Sequence, residues 1–310
     1  MKLIFNPARL ATLVIISLLV FGSCKKETSA DTTQEEFASK ASSEADAESD
    51  DIFNEVFDNV MGVNADVAFG GTGVFGRMNP GTSGTGETAR VTACPDVTIT
   101  HLTANLFPVR VVMDFGTGCT GRDGRTRSGK IITEYTNRLM IPGARATTTF
   151  ENYTVDSTKV QGTHIITNQS ELLAANCWKH KWNVVVERGK LTKPNGNYIE
   201  WNSTRTIEQK AGMCTPYVPL DDIYEITGHA NGKVKRDNLL IAWNSEITES
   251  LVKKFTCRWI VKGIIRNMRL NLTTSSPWVA AINYAHPNGG DCDNKAMVTI
   301  NGVSHIITLP

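Results

Sequence analysis

The chain has 310 residues, of which 41% are hydrophobic and 20% are charged, and its formal net charge is +1. The apolar fraction is too high for a disordered chain and too low for a multi-span helical membrane protein. The near-neutral charge argues against a dedicated nucleic-acid-binding protein, so we expect no nucleic-acid partner.

The first 23 residues have the pattern of an export signal. Lys2 and Arg9 precede an apolar stretch over 10–21, and a small-residue cleavage site follows. The cysteine at this point, Cys24, resembles the lipidated cysteine of a bacterial lipoprotein signal, although Phe21 stands where leucine is usual. Residues 1–23 are therefore a predicted lipoprotein signal peptide, with ordinary secretion as the alternative. The prediction places the protein at the bacterial outer membrane, facing the periplasm or the surface, with its lipid anchor at Cys24.

The segment after the signal is strongly acidic. Residues 25–60 contain 11 acidic and 3 basic side chains, which leaves a charge of +7 on residues 61–310. The Ser-, Thr-, Ala- and Glu-rich composition predicts a disordered acidic tether over 24–49. Helical periodicity predicts an amphipathic helix over 50–62, with Ile52, Val56 and Val60 on one face. Glycines predict a loop over 63–90.

The remainder, 91–310, has the two-residue periodicity of β-strands. Runs rich in Thr, Val, Ile, Tyr and Trp follow one another from 97–102 to 303–309. Turn dipeptides such as Asn231-Gly232 separate several of them, and short connections require antiparallel pairing. The predicted fold class is mainly all-β: an antiparallel β-meander forming a curved sheet, a sandwich or an open barrel, with one short N-terminal helix.

Six cysteines remain when Cys24 is set aside. An even number in an exported chain favours disulfides, and six cysteines allow 15 connectivities. Pairing across hairpin legs favours Cys94–Cys119, Cys177–Cys214 and Cys257–Cys292. A zinc site is the alternative to disulfides, but the sequence contains no CxxC motif, so we expect no metal. We also expect no cofactor.

A cluster of cations lies in the segment 118–131. Its glycines and Lys130 come within one residue of a phosphate-binding loop, but Ile131 stands where Ser or Thr is needed. We interpret the segment as a hairpin loop. Its basic side chains form a candidate anion-binding site for a glycan or a lipid headgroup, and these residues are Arg122, Arg125, Arg127 and Lys130. The alternative is that they form a solvated face without a ligand.

The tryptophans allow two interpretations. Aligned on one exposed face they would form a sugar-stacking platform, whereas core packing is the commoner role. They are Trp178, Trp182, Trp201, Trp243, Trp259 and Trp278. The sequence contains no complete catalytic motif, so no catalytic residue is predicted.

Three segments carry a family resemblance: 114–130, 201–205 and 292–302. Together they resemble a family of uncharacterised β-rich lipoproteins of Bacteroidota, over roughly residues 90–309. The resemblance implies an envelope lipoprotein with a β domain, and it implies neither an activity nor catalytic residues. Cys177 and Cys214 look like additions relative to that family.

Three function hypotheses follow. The first is a non-enzymatic binding or structural module of the cell envelope, with an anionic glycan or lipid as the candidate ligand. The alternative is a lipid or lipoprotein carrier with a half-open β-barrel, which requires an open apolar concavity. A further alternative is a glycan-active enzyme, which requires two carboxylates facing one cleft. The oligomeric state is not determined by these patterns.

Overall fold

The computed structural model describes residues 29–62, 95–121, 123–175, 177–215, 219–257, 259–270 and 279–309. The chain divides into two compact units, Met1–Glu35 and Glu36–Pro310. In the first unit the described residues, 29–35, are helical. The second unit contains every residue of the hydrophobic core that the described residues form. The predicted loop over 63–90 lies outside the described residues.

One helix precedes sixteen strands in the described ranges. Helix α1 is Ser29–Met61, and a short 3-10 turn is Pro219–Asp221. The strands are β1 Asp96–His101, β2 Val109–Asp114, β3 Cys119–Thr120, β4 Thr126–Tyr135, β5 Arg145–Val155, β6 Thr158–Asn168, β7 Glu171–Ala174, β8 Cys177–Lys179, β9 Lys181–Thr192, β10 Tyr198–Ala211, β11 Ile223–Arg236, β12 Leu239–Lys254, β13 Lys262–Arg269, β14 Ala280–Asn283, β15 Lys295–Ile300 and β16 Val303–Thr308.

The strands form one large antiparallel sheet. Its order is β1-β2-β4-β5-β6-β9-β10-β11-β12-β13-β14-β15-β16, with β3 paired to β4, while β7 and β8 form a separate hairpin. The sheet is not closed. Within the described residues its edge strands are β1 and β16. The predicted fold class, mainly antiparallel β with one N-terminal helix, is confirmed, and the main sheet is single and continuous.

The sheet curls around α1. Asp58 contacts Lys253 on β12, while the carbonyl oxygen of Val60 accepts a hydrogen bond from Tyr135 on β4. These strands are six positions apart in the sheet, or about 29 Å if it were flat. A single helical turn, about 10 Å wide, reaches both of them, so the two parts of the sheet must face each other across the helix.

Glycines permit this curvature at two irregularities of the ladder. Gly162 has a φ of +120° and lies where the β6–β9 register shifts, and Gly228 has a φ of +133° at the shift between β11 and β12. At both positions a Cβ atom would overlap the backbone of a neighbouring strand. Such bulges bend a strand and increase its local twist.

The prediction of a disordered tether is wrong for residues 29–49, which belong to α1. The helix is thus longer than the predicted 50–62. Its extra turns approach the sheet closely because small side chains meet there: Ser42 lies against Asn267, with Oγ 3.4 Å from Oδ1. Ala38, Ala41 and Ala45 are at most 2% exposed. Alanine, serine and glutamate suit a helix that the sheet buries, although the same composition is typical of a tether.

Of the helices in the described ranges, none has both the length and the apolar character needed to cross a membrane.

Candidate functional site

The concave face of the sheet is covered by α1, whose apolar residues join the hydrophobic core and whose acidic residues include eight that contact basic or indole groups of the sheet and its turns. We call these residues the helix carboxylates: Glu36, Glu44, Asp46, Glu48, Asp50, Asp51, Glu55 and Asp58. Apart from Asp46, each of them lies within ion-pair distance of a basic side chain of the sheet or its turns. Glu44 contacts Arg236 at 2.8 Å, and Glu48 contacts Lys193 at 3.0 Å. The acidic segment and the basic domain of the sequence are therefore electrostatic partners within one chain.

Glu55 is the centre of a group of buried ion pairs that involves two arginines. Its carboxylate accepts a hydrogen bond from Arg125 Nη1 at 2.7 Å and another from Arg127 Nε at 2.6 Å. Asp51 also accepts from Arg125 at 3.1 Å, and Asp123 accepts two bonds from Arg127. Charge-assisted bonds of this kind are the strong ones.

The electrostatic consequence is that both arginines stay charged although they are buried. Burial alone lowers the pKa of Arg125, but the charges of Glu55 and Asp51 outweigh that effect and raise the pKa above its ordinary value. Burial likewise lowers the pKa of Arg127, and its bonds to Asp123 and Glu55 raise it overall.

Asp46 is held differently, by two tryptophans. Its Oδ1 accepts a hydrogen bond from Trp201 Nε1 at 2.8 Å and one from Trp243 Nε1 at 3.1 Å. Burial raises the pKa of Asp46, and the nearby Arg205 and the indole hydrogen bonds only partly offset this. The two indole N–H groups fix the position of the helix on the sheet.

Of the four candidate anion-binding residues, Arg125 and Arg127 are buried against α1. Both residues are only 7% exposed, and the anions that they bind are carboxylates of the same chain. Lys130 remains at the surface and pairs with Asp114 at 3.2 Å. Arg122 lies outside the described residues.

Lys130 also lines a shallow depression on the outer face of β2, β4 and β5. The depression has a volume of about 510 Å³, with Val112 and Ile132 on its floor. Arg110 and Glu134 at its rim form an ion pair at 2.7 Å. Because the charges around it are paired with each other, the depression does not offer a free cation for an anionic ligand.

Core packing, rather than a sugar platform, explains three tryptophans. Trp182, Trp201 and Trp243 are at most 1% exposed, and Trp201 stacks on Phe53 of α1 at 5.6 Å between ring centroids. Trp278 lies outside the described residues, and Trp259 packs partly buried against the core. The basic loop and the buried tryptophans do converge on one concave surface, but α1 covers it.

This filled interior argues against two of the functional hypotheses. A carrier needs an open apolar concavity, whereas α1, which bears the eight helix carboxylates, packs against the inner face. A glycan-active enzyme with its site on the concave face would need accessible carboxylates there, whereas Asp46, Glu55 and Asp58 are at most 6% exposed. Among the described residues, no group of three or more His, Cys, Asp or Glu side chains is placed to hold a metal ion.

The surface that α1 leaves free includes one end of the sheet. Because successive strands are antiparallel, alternate connections meet at the same end. Six connections of 7 to 12 residues meet at one end, which we call the long-loop rim: 102–108, 136–144, 169–180, 212–222, 255–261 and 284–294. At the opposite end, four of the six connections are turns of two to five residues.

Disulfides join the loops of this rim in pairs. Cys177 and Cys214 are bonded with a Cα–Cα distance of 4.1 Å, and Cys257 and Cys292 are bonded at 5.6 Å. Both predicted pairings are confirmed. Cys119 also forms a disulfide, and its predicted partner Cys94 lies outside the described residues.

Hydrogen bonds connect the rim loops further. Asn168 Nδ2 donates to the carbonyl oxygen of Leu139 at 2.6 Å, and the amide of Phe255 donates to the carbonyl oxygen of Asp222 at 3.1 Å. The first bond joins loop 136–144 to the strand that leads into loop 169–180, and the second joins loops 212–222 and 255–261. Cross-linked loops of this kind form a preorganised surface rather than a set of independent segments.

Four successive loops of the rim expose large aliphatic side chains. We call them the apolar arc: Leu102, Leu106, Ile141, Leu172, Leu173 and Leu220, which are 39–67% exposed. In the described connections at the opposite end, Leu270 is the one comparable residue. The arc is not predictable from the sequence, because isolated leucines in loops carry no signal until the topology brings the loops together.

The helix carboxylates were not predicted either, although the sequence carries a signal for them. Glu44, Glu48, Asp51, Glu55 and Asp58 recur at alternating spacings of four and three, which places them along one side of a helix. This spacing is the pattern from which a single helix carrying these carboxylates could have been predicted.

Comparisons with protein-family models, with curated proteins and with solved structures find no match for this chain. The resemblance to an uncharacterised Bacteroidota lipoprotein family therefore stays a prediction.

Proposed function

We propose that this protein is a non-enzymatic binding module of the bacterial cell envelope. In this proposal the helix and the concave face are structural, and the long-loop rim is the surface that recognises a partner. The observation that carries the proposal is the contrast between the interior and the rim: the buried arginines Arg125 and Arg127 are paired with Glu55 of α1, whereas the rim combines long cross-linked loops with exposed aliphatic groups. Binding surfaces are commonly built from loops that a rigid scaffold positions.

An anionic ligand held by Arg125 and Arg127 is not part of the proposal. Both guanidinium groups are bound to Glu55, so an external anion would have to displace a buried carboxylate of α1. Breaking a buried ion pair in this way costs about 3–5 kcal/mol. A ligand that uses the exposed rim incurs no such cost.

We further propose that the protein is attached to the outer membrane by a lipid on Cys24. Support comes from the signal-like residues 1–23 and from disulfides, which are typical of exported proteins. Mass spectrometry of the protein purified from membranes is expected to find a diacylated N-terminal cysteine, and Cys24→Ser is expected to abolish the modification. A mature chain that begins at another residue would contradict this anchor.

The test of the rim is photo-cross-linking in cells that produce the full chain. A photoreactive amino acid replaces Leu220 in the rim in one strain and Leu240, near the opposite end of the sheet, in a matched control strain. Both leucines are exposed, at 67% and 59%, so the two probes differ in position rather than in accessibility. The proposal expects a discrete adduct with an envelope component from the Leu220 position. Equal labelling from both positions, or no adduct from the rim, would contradict it.

A further inference from the structure

We infer that the short segment between the proposed lipid anchor and the folded unit holds one end of the sheet towards the bilayer and directs the long-loop rim away from it. We call the end opposite the rim the short-turn end, because the turns 156–157, 193–197, 237–238 and 301–302 lie there. The inference rests on the proposed function, since it takes the lipid on Cys24 as the point of attachment. It adds to that function the side of the molecule on which the partner of the rim is found.

The C-terminal end of α1 lies at the long-loop rim. Asp58 contacts Lys253 at 3.6 Å, and the carbonyl oxygen of Val60 accepts a hydrogen bond from Tyr135 at 2.7 Å. Both sheet residues stand at the ends of strands that lead into loops of the rim.

The preceding turns of α1 lie at the short-turn end. Glu44 forms an ion pair with Arg236 at 2.8 Å, and Glu48 forms one with Lys193 at 3.0 Å. Arg236 is the last residue of β11, and Lys193 directly follows β9, so both belong to turns of this end. Helix α1 therefore runs from the short-turn end to the rim.

The folded unit also begins near the short-turn end. The carboxylate of Glu36 is 2.8 Å from His305 Nε2, and His305 is the third residue of β16 after the turn 301–302. From Glu36 to Val60 the helix rises over 24 residues, or about 36 Å. The start of the folded unit is therefore about 36 Å from the end of α1 that contacts the rim.

The chain between the proposed anchor and Glu36 is too short to span that distance. The seven residue steps from Ser29 to Glu36 belong to α1 and rise about 10 Å. The five steps from Cys24 to Ser29 span at most about 18 Å when fully extended. Cys24 therefore lies within about 28 Å of Glu36. This limit excludes an orientation in which the rim rests on the bilayer with Glu36 uppermost.

The short-turn end suits a position next to lipid headgroups. Its four tight turns contain two to five residues each, so they extend little beyond the strands. They consist only of Asp, Ser, Lys, Pro, Asn and Gly, which are compatible with a hydrated surface. The long cross-linked loops then point towards components of the envelope that lie beyond the headgroups.

The test measures the height of each end above the bilayer. The lipoprotein is purified from membranes and added to phosphatidylcholine vesicles whose headgroups carry an energy-acceptor dye. A fluorescent amino acid replaces either Leu240, near the short-turn end, or Leu220, in the rim; these leucines are 59% and 67% exposed. We expect the Leu240 probe to lie nearer to the headgroups by about 20 Å, which is the rise of α1 between Glu44 and Asp58.

A variant with a longer segment before the helix is the matched control. Forty Gly and Ser residues inserted after Lys26 add a flexible length of about 35 Å and leave every core residue unchanged. The folded unit can then rotate above its anchor, so we expect the difference between the probes to fall below about half of its wild-type value. Circular dichroism melting verifies that the labelled chains are folded.

The inference is overturned if the two probes lie at equal heights, as in a molecule that lies on its side, or if the Leu220 probe is the nearer one. A difference that persists unchanged in the long-segment variant would also overturn it, because the short segment would not be the cause. If Cys24 carries the lipid, these results overturn the orientation and leave the anchor intact. A mature chain without that lipid would overturn the anchor and the orientation together, while the Leu220 cross-linking probe still tests the rim as a binding surface.

Discussion

Replacement of Glu55 by glutamine is expected to destabilise the fold by about 3 kcal/mol. Glu55 is 6% exposed and accepts one bond from each of two buried guanidinium groups, at 2.7 and 2.6 Å. Hydrogen bonds to charged groups contribute about 1.5–3 kcal/mol each, and removal of one partner of a buried pair costs about 3–5 kcal/mol. Arg125 keeps Asp51 and Arg127 keeps Asp123, which places the expectation at the lower end of that range.

The assay is urea unfolding of the chain from Lys25 onward, with its disulfides intact and tryptophan fluorescence as the signal. Glu134→Gln is the matched control, because the Arg110–Glu134 pair has similar distances but both side chains are 49% exposed. Surface pairs of this kind contribute less than about 1 kcal/mol. If Glu55→Gln lowers the free energy of unfolding no more than Glu134→Gln does, the helix carboxylates do not hold α1 on the sheet.

Three further predictions concern stability. Burial lowers the pKa of His164 to about 3, so below about pH 6.5 the unfolded chain takes up a proton that the folded chain does not. The free energy of unfolding should therefore fall as the pH drops. In urea titrations, His164→Phe should remove about 2 kcal/mol of the loss of stability between about pH 7 and about pH 5. Gly129→Ala should lower the free energy of unfolding by about 3 kcal/mol in thermal unfolding, because the φ of Gly129 is +75° and a Cβ would overlap a neighbouring carbonyl oxygen. Gly143→Ala is the control: its φ is +82° but the space around it is open, so it should lower that free energy by about 1 kcal/mol. Equal losses for the two variants would contradict the close approach at Gly129. Replacement of both Cys257 and Cys292 by serine should cost about 4 kcal/mol for a bridge across 35 residues, and an unchanged unfolding midpoint would contradict that bridge.

The strands were predictable because their pattern is local. Alternating Thr, Val and Ile with tight turns specify each hairpin, and hairpin pairing then places Cys177 beside Cys214. The single curved sheet was less predictable, since its curvature around a helix depends on contacts such as Asp58–Lys253, almost 200 residues apart.

The acidic segment was wrongly predicted to be a disordered tether, and the reason for this error is physical. Residues such as Ser42, Ala45 and Asp46 have too little apolar surface to predict burial, and their burial depends on partners far along the chain. The charges of −8 on residues 25–60 and +7 on residues 61–310 carried the missing information. Opposite charges of similar size within one chain indicate internal pairing as readily as an external ligand.

Helix α1 is an integral part of the fold and occupies the concave face. Hydrogen–deuterium exchange of the chain from Lys25 onward, resolved by peptide, measures this directly. We expect the amides of residues 38–60 to be protected as strongly as those of β9 to β12, and we expect both groups to exchange in one cooperative opening. Exchange of residues 38–60 within seconds, while the strands stay protected, would contradict it.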